Sequence, residues 1–173
     1  MTPWQVLNFD DPRYDAIWAQ FHERFRFRPS IYADQWPGIR EPTPSVTYDI
    51  SGHWGEGYRA SNHAALHQQA LEAFRACVHP GEWIYALDWQ HPCYQYYPHR
   101  EGSYWSPFNA SEEEWPVPVI PDGDYFIFVP PDLSWGWFGH PWEQTICIWG
   151  ENLLGLMAKS KPLLFNQIQR QRP

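Results

Sequence analysis

The chain has 173 residues and a formal net charge of −8 at pH 7, and 18 % of its residues are aromatic. So many large apolar side chains exclude disorder over most of the chain, and the length fits a single domain over residues 1–173. The 12 Lys and Arg residues are scattered, which argues against nucleic-acid binding, because neutralising phosphates needs clustered positive charge.

Signals for secretion, membrane insertion and disulfide bonding are absent from the sequence. The first residues lack a basic segment followed by an apolar one, and no run of about 20 apolar residues follows them. Cys77, Cys93 and Cys147 are odd in number and far apart, which excludes a disulfide framework or a zinc ribbon. We therefore expect a cytoplasmic protein with reduced thiols, no membrane contact and no cofactor.

The first predicted elements are a short edge strand at Trp4–Phe9 and a helix over about Pro12–Phe25. Asp11 supplies a side-chain acceptor for the N-cap, and Pro12 suits the first helical position. Apolar residues spaced three and four apart build one stripe along this helix: Tyr14, Ile17, Trp18, Phe21 and Phe25.

A strand and a second helix are predicted next. Apolar and polar residues alternate over Val46–Ile50, which is the period of a strand with one polar face. Ser61 or Asn62 caps a helix that carries apolar residues on one face as far as Cys77 and stops before Pro80.

The second half of the chain adds more strands and a last helix, which begins near Glu151 and is broken at Pro162. The strand-like runs, rich in β-branched and aromatic residues, are Trp83–Trp89, Tyr94–Tyr97, Asp124–Val129 and Trp142–Trp149. Together the elements predict an α+β fold with a mainly antiparallel sheet of about five strands packed against two to three helices.

Two segments are predicted to be poorly ordered. Residues 98–118 carry small polar residues and an acidic run at 112–114, which is typical of a mobile loop. Residues 167–173 are polar and basic, so we expect the C-terminus to fray.

Acids and imidazoles are placed at the ends of the predicted strands: Asp88, His91, Asp122, Asp124, His140 and Glu143. If they converge at one rim of the sheet, they could perform acid–base catalysis or bind a divalent metal. The sequence holds no His-x-His or His-Glu-x-x-His motif, and Asp in turns commonly caps the backbone. We therefore predict no metal. The alternative to a catalytic or binding role is that these residues only hold loops to the sheet by hydrogen bonds.

Nucleophilic catalysis has little support in the sequence. Cys93 lies near His91, but most buried cysteines are unreactive. A Gly-x-Ser-x-Gly motif and a Gly-rich phosphate loop are both absent.

A loop of twelve residues, Pro130–Pro141, is predicted between the last two strands, and it is too long for a tight turn. Its Trp and Phe side chains either form an exposed binding surface or cover the end of the sheet as a lid. The candidate binding residues are Trp135, Trp137, Phe138, Tyr94 and Trp142.

Short motifs spread over most of the chain resemble a bacterial family catalogued as domain of unknown function 2716. The residues that carry the resemblance are Ile39–Pro42, Pro44–Tyr48, Ala86–His91, Tyr94, Pro121–Tyr125, Phe128, Phe138–Glu143 and Cys147–Gly150. The resemblance implies a stand-alone, cytoplasmic bacterial protein, and it supplies neither an accepted activity nor established site residues.

Two classes of function fit these observations. The first is a non-enzymatic protein-binding module, for example an immunity protein that neutralises a basic partner, because the chain is small and acidic and carries many aromatic residues. The alternative is a small enzyme or ligand-binding protein that uses the Asp, His and Glu residues at one end of the sheet, with or without a divalent metal. The sequence leaves open whether the chain is an enzyme.

Overall fold

A computed structural model describes residues 2–53, 60–102 and 115–173 of the chain. In chain order the helices and strands are β1 (Trp4–Leu7), α1 (Pro12–Phe25), β2 (Ser45–Asp49), α2 (Ala60–Cys77), β3 (Ile84–Asp88), β4 (Cys93–Tyr96), β5 (Phe126–Val129), β6 (Gly136–His140), β7 (Thr145–Trp149), α3 (Glu151–Ser160) and β8 (Ile168–Arg172). The helices and the antiparallel sheet confirm the predicted α+β class. The described residues form an eight-stranded sheet, however, so the expectation of about five strands was wrong.

The strands follow the order β1-β4-β3-β5-β6-β7-β2-β8 across the sheet, and every neighbouring pair is antiparallel. Short connections join β3 to β4, β5 to β6 and β6 to β7, as antiparallel neighbours allow. The first and last strands of the chain form the two edges of the sheet.

Side chains alternate between the two faces of the sheet, and each face has its own core. On β5, Phe126 and Phe128 pack into the core formed with α2 and α3, whereas Ile127 and Val129 pack into the core formed with α1. All four residues are buried, because helices cover the strand on both sides. The molecule therefore has three layers, and burial on both faces explains the unbroken apolar run of β5.

Helix α1 begins and ends where the sequence predicts. The Asp11 carboxylate accepts a hydrogen bond from the Arg13 backbone N–H at 2.9 Å, which satisfies one of the unpaired donors at the helix start. Arg26 ends the helix in the left-handed conformation, with a φ of 52°. The predicted stripe faces the sheet, and its buried members are Ile17, Trp18, Phe21 and Phe25.

The other two helices also lie close to their predicted positions. Helix α2 begins at Ala60, one residue before the expected cap at Ser61, and α3 ends at Ser160, before the helix-breaking Pro162. No helix in the described ranges combines the length and the apolar character that crossing a bilayer requires.

Strand β6 lies inside the segment that was predicted to be a loop, Pro130–Pro141. Its glycines suggested a turn, but they serve close packing instead. A Cβ atom on Gly136 would lie 2.2 Å from the Trp149 ring, and one on Gly139 would lie 3.1 Å from Pro121. Glycine is required where another group approaches the strand this closely, so the loop prediction was wrong.

Strand β8 replaces the expected frayed C-terminus. It pairs with β2, with Arg172 opposite Ser45 and Arg170 opposite Thr47. Its side chains are mostly exposed, so the polar composition suggested fraying, but backbone pairing and the ionic contacts of Arg170 hold it to the sheet. The sequence thus predicted fraying over residues 167–173, whereas the structure places Ile168–Arg172 in a strand.

Parts of the segment predicted as a mobile loop, residues 98–118, are described. Pro98–Arg100 forms a short 3-10 turn, and Trp115 and Val117 are buried in the core beside α2. Burial of these apolar side chains fixes the end of the segment against the core. Residues 103–114 lie outside the described residues.

Candidate functional site

The candidate polar residues all lie toward one end of the sheet. The register places Asp88 opposite Phe126, Phe126 opposite Gly139, and His140 opposite Thr145, so the ends of β3 and β6 and the starts of β5 and β7 share this end. The residues nevertheless separate into different environments. The set predicted from the sequence is Asp88, His91, Asp122, Asp124, His140 and Glu143.

Three of these residues form a compact group, here called the Asp–His–Asp site: Asp88, His91 and Asp124. The Nδ1 atom of His91 lies 2.9 Å from Asp88 Oδ1 and 3.0 Å from Asp124 Oδ2. His91 belongs to the tight β3–β4 turn, in which its backbone N–H donates to the Asp88 carbonyl at 3.2 Å. The turn thus carries the imidazole back over the carboxylate at the end of β3.

Burial and charge act against each other in the Asp–His–Asp site. Burial raises the pKa of Asp88 to about 6, although the hydrogen bond from His91 acts to lower it. Burial also raises the pKa of Asp124, and the hydrogen bond to Asp88 raises the pKa of His91. Two carboxylates therefore share one imidazolium, and the negative charge of the site is only partly compensated.

The chemistry open to the Asp–His–Asp site follows from how its atoms are held. The Nδ1–H of His91 is directed at carboxylate oxygens, and its side chain is 58 % exposed. No hydrogen bond within the described residues involves its Nε2 atom, which can therefore exchange a proton or contact a ligand. One donor atom from each of the three residues lies within 4.8 Å of the others, which is compatible with a divalent cation.

Glu143 belongs to a separate arrangement, here called the glutamate–arginine cluster: Glu41, Glu143 and Arg170. The Arg170 guanidinium donates to both oxygens of Glu143, at 2.5 and 2.8 Å, and to Glu41 Oε1 at 2.8 Å. The hydroxyl groups of Thr47 and Thr145 donate to Glu41 and Glu143, each at 2.7 Å. The Glu41 side chain is fully buried, and Arg172 places a second guanidinium 3.3 Å from its Oε2. With Arg172 the two carboxylates face two guanidinium groups, so the charges are neutralised within the protein and the cluster fastens β8 to the sheet.

His140 lies inside the protein. Its Nδ1 accepts a hydrogen bond from the Glu143 backbone N–H at 3.0 Å, and its ring packs against Trp36 and Tyr125. Burial lowers the pKa of His140 to about 4, so the imidazole is neutral at physiological pH. Residues two apart on a strand point to the same face of the sheet. Asp88 therefore lies on the face of Ala86, which α2 covers, whereas His140 lies on the face of Phe138, which α1 covers. His140 therefore does not join His91.

Asp122 faces a third group, a row of histidines that the sequence reasoning missed. The rings of His53, His63 and His67 follow one another, with centroid distances of 5.7 and 4.4 Å. Burial lowers the pKa values of His53 and His63, and the nearby Asp122 carboxylate partly offsets this effect. His63 and His67 are four residues apart on α2, and residues with this spacing lie side by side on one face of a helix. This spacing could have revealed the row from the sequence.

His67 is the structural member of this row. Its Nε2 accepts a hydrogen bond from the Val119 backbone N–H at 3.0 Å, so its proton must lie on Nδ1, which donates to the His63 carbonyl at 3.0 Å. Both ring nitrogens are thus used by a neutral imidazole. Complete burial lowers the pKa of His67 well below its usual value, in agreement with this tautomer.

The candidate binding aromatics also divide. Trp135, Trp137 and Phe138 are buried in the two cores, and the Trp137 indole donates to the Val119 carbonyl at 2.9 Å, so they do not form an exposed surface. Trp142 lies in the β6–β7 turn and is 47 % exposed, whereas Tyr94 is half-buried. Of the proposed binding aromatics, Trp142 is the side chain most open to a partner.

A loop that the sequence reasoning left without a role, residues 28–38, packs against Tyr125 and His140 at this end of the sheet. The ends of this loop, Arg28 and Gly38, are joined by a backbone hydrogen bond of 2.7 Å. The Ser30 N–H donates to the Tyr125 hydroxyl at 2.9 Å, which fixes the loop on the side of the sheet that α1 covers. Two of its apolar residues project into solvent, namely Ile31 (59 % exposed) and Tyr32 (64 % exposed).

Comparison with known proteins places the chain among relatives. The family described as "Protein of unknown function (DUF2716)" matches residues 8–154. The "Uncharacterized protein YxiI" of Bacillus subtilis (strain 168) is 32 % identical over 171 residues, which cover 95 % of this chain and 98 % of the relative. No solved structure matches the chain. The family match and this relative, both of which extend over most of the sequence, show that the chain belongs to the DUF2716 family.

Proposed function

We propose that the chain is a non-enzymatic binding protein that recognises a basic partner protein through the end of the sheet carrying the Asp–His–Asp site. The observation that carries this proposal is the pair of carboxylates, Asp88 and Asp124, which share the single imidazole of His91. A Lys or Arg side chain of a partner would supply the missing positive charge. The bound carboxylates would then be as well compensated as Glu143 is by Arg170.

The surroundings of the site support a protein partner rather than an isolated ion. Tyr32 and Trp142 are exposed, and Trp142 lies in the β6–β7 turn at the same end of the sheet. Aromatic side chains are enriched at the centres of protein interfaces. The net charge of −8 would steer a positively charged partner toward the surface and raise the association rate. Neutralisation of a basic toxin by a cytoplasmic immunity protein is the kind of interaction that these features fit.

A second candidate function is favoured by the short distances within the Asp–His–Asp site. One donor atom from each of the three residues lies within 4.8 Å of the others, a spacing that a divalent cation could bridge. In this case the protein would be a ligand-binding protein or a small enzyme, and the two carboxylates and His91 would hold the metal. The residue types, oxygen with imidazole nitrogen, suit Mn²⁺ or Zn²⁺.

Co-purification with the basic proteins encoded beside the chain's own gene tests the first proposal. The wild-type chain, the double variant Asp88→Asn/Asp124→Asn and the control Glu72→Gln are compared at low and high salt. Glu72 is an exposed carboxylate on α2 outside the site. We expect capture by the wild type and the control, loss of capture in the double variant, and weaker capture at high salt. Equal capture by all three chains would refute the proposal.

Titration with Mn²⁺ and Zn²⁺ separates the two candidates. Calorimetry of the wild type and of His91→Ala measures whether binding depends on the imidazole. Saturable binding to the wild type that disappears in His91→Ala would support the metal-binding function. Absence of such binding, together with charge-dependent capture of a partner, would leave the protein-binding function.

A further inference from the structure

A second concave site lies at the other end of the sheet. It is a cleft of about 570 Å³ between the C-terminal end of α2 and the segment Pro130–Trp135. This volume is within the range of roughly 300–1,000 Å³ that is usual for small-molecule sites. Trp83 precedes β3 and Pro130 follows β5, so the cleft is a full strand length away from Asp88 and Asp124.

The apolar wall of the cleft is rigid. Trp135 stacks on Phe74 of the core, with ring centroids 5.7 Å apart and an angle of 27° between the planes. A Cβ atom on Gly150 would lie only 2.4 Å from the Cβ of Trp135, so the backbone between β7 and α3 packs tightly against this residue. Trp83, on the other side, packs edge-to-face on Tyr85 at 4.7 Å. The indoles are thus fixed before any ligand arrives.

The charges of the cleft are all negative. Among the residues that the structure describes, Glu82 and Asp132 are the charged ones that line the cleft, and no Lys, Arg or His is among its lining residues. Glu82 Oε2 accepts from the His79 backbone N–H at 2.7 Å, and Asp132 Oδ1 accepts from the Ser134 hydroxyl at 2.7 Å. The second oxygen of each carboxylate has no hydrogen bond within the described residues and remains open to a ligand.

The backbone adds to this negative potential. Helix α2 ends at Cys77, which lines the cleft. The C-terminal end of a helix carries the negative pole of its dipole, which favours a cation nearby. Two carboxylates and a helix C-terminus therefore act in the same direction at an aromatic wall.

We propose that this cleft binds a small organic cation, a protonated or quaternary amine attached to an apolar body. The apolar body would lie against Trp135 and Pro131, and the cationic group would contact the open oxygens of Glu82 and Asp132. Trp83 would add a cation–π interaction, which acts within about 6 Å of the ring centroid. This proposal is independent of the basic partner at the opposite end of the sheet, because it uses none of the same residues.

Three probes of the same shape test the charge preference: phenethylamine, 2-phenylethanol and phenylacetate. Binding to the full chain is followed by the indole N–H signals in NMR at constant ionic strength. We expect the amine to bind roughly tenfold more tightly than the alcohol, and the acid to bind more weakly than both. Equal affinity for the amine and the alcohol would overturn the proposal.

Variants locate the binding to the cleft. Glu82→Gln and Asp132→Asn are each expected to weaken amine binding severalfold, whereas the exposed control Glu72→Gln leaves it unchanged. Because Asp132 also holds the Ser134 hydroxyl, the melting temperature of each variant is measured, and Glu82→Gln is decisive if Asp132→Asn melts early. Unchanged amine affinity in Glu82→Gln and in any folded Asp132→Asn would refute the site.

Alkylation of Cys77 gives an independent measurement. This thiol is half-buried at the wall of the cleft, and burial raises the pKa of Cys77 to about 11, so its reaction with iodoacetamide is slow. Phenethylamine is expected to slow the reaction further, as read by mass spectrometry, with the buried Cys93 and Cys147 as internal references. An unchanged rate at saturating amine would contradict binding in this cleft.

Discussion

The glutamate–arginine cluster and the Asp–His–Asp site both contain partly or fully buried carboxylates, but they differ in how far the protein compensates the negative charge. In the glutamate–arginine cluster, Arg170 donates to both oxygens of Glu143 and to Oε1 of Glu41. Arg172 donates to the second oxygen of Glu41, and a threonine hydroxyl adds one hydrogen bond to each carboxylate. In the Asp–His–Asp site, Asp88 and Asp124 share a single exposed imidazole. The first group is saturated by the protein itself, and the second is not.

The pKa values express this difference. Burial acts to raise the pKa of Glu143, but the hydrogen bonds from Arg170 and Thr145 outweigh it, and the pKa is lowered. Burial raises the pKa of Asp88 to about 6, and the opposing contacts with His91 do not overcome it. A lowered pKa means that the fold stabilises the ionised carboxylate, as expected of a structural residue. A raised pKa means that the fold destabilises the ionised form, which makes the carboxylate a candidate for contact with another molecule.

Removing the cation of the saturated group should have the largest effect. Arg170→Met leaves Glu143 buried without a counter-charge and Glu41 with only the longer contact to Arg172, and we expect a loss of about 3–5 kcal/mol in the free energy of unfolding. Urea denaturation measures it. The matched control is Arg172→Met, because Arg172 is half-exposed and makes only one longer contact, at 3.3 Å to Glu41, so about 1 kcal/mol at most is expected. Similar losses in both variants would remove the distinction between the two groups.

Removing a charge from the unsaturated group should have a smaller effect of opposite sign. The folded-state pKa of Asp88 is raised from 3.8 to about 6, so its ionisation destabilises the folded state as the pH rises from about 4 to 6. Asp88→Asn should therefore be about 1 kcal/mol more stable than the wild type at pH 7 after allowance for solvent screening, and this gain should vanish near pH 4. Thermal unfolding between pH 4 and pH 8 tests this. A variant less stable than the wild type at pH 7 would show that Asp88 is structural.

The smallest effect is expected from the exposed imidazole. His91→Ala should change the free energy of unfolding by less than about 1 kcal/mol, since exposed ion pairs contribute little. The pKa of Asp88, followed by NMR of its side-chain carboxyl carbon, should rise further, because His91 lowers it in the wild type. A loss of stability comparable to that of Arg170→Met would place His91 with the structural residues.

Much of the fold could be predicted because its signals are local. The apolar stripe and the Asp11 cap define α1, and alternating or continuous apolar runs define β2, β3, β5 and β7. Strand β6 was missed because its glycines, read locally, indicate a turn, and only the position of the Trp149 ring explains Gly136. Strand β8 was missed because its polar side chains give no apolar signal.

The candidate site was predictable in part for the same reason. Asp88 and His91 belong to one short turn, so their closeness follows from the predicted hairpin. Asp124 reaches them through the β3–β5 pairing, which the sequence did not predict. The contacts that neutralise Glu143 and Glu41 could not be predicted, because their shared partner, Arg170, is distant in sequence. Arg170 lies 27 residues from Glu143 and 129 residues from Glu41. Contacts over such separations depend on the complete strand order, and this order could not be derived without predicting β8.

The position of β8 also bears on how the chain is made. Because β8 follows β2 and β7 in the sequence, both Glu41 and Glu143 are synthesised before Arg170, Glu41 by 129 residues and Glu143 by 27. Until then, the outer face of β2 is an open edge with unpaired backbone groups. An expression tag joined to residue 173 would crowd this last strand, whereas one joined to the other end would leave it free to close the sheet.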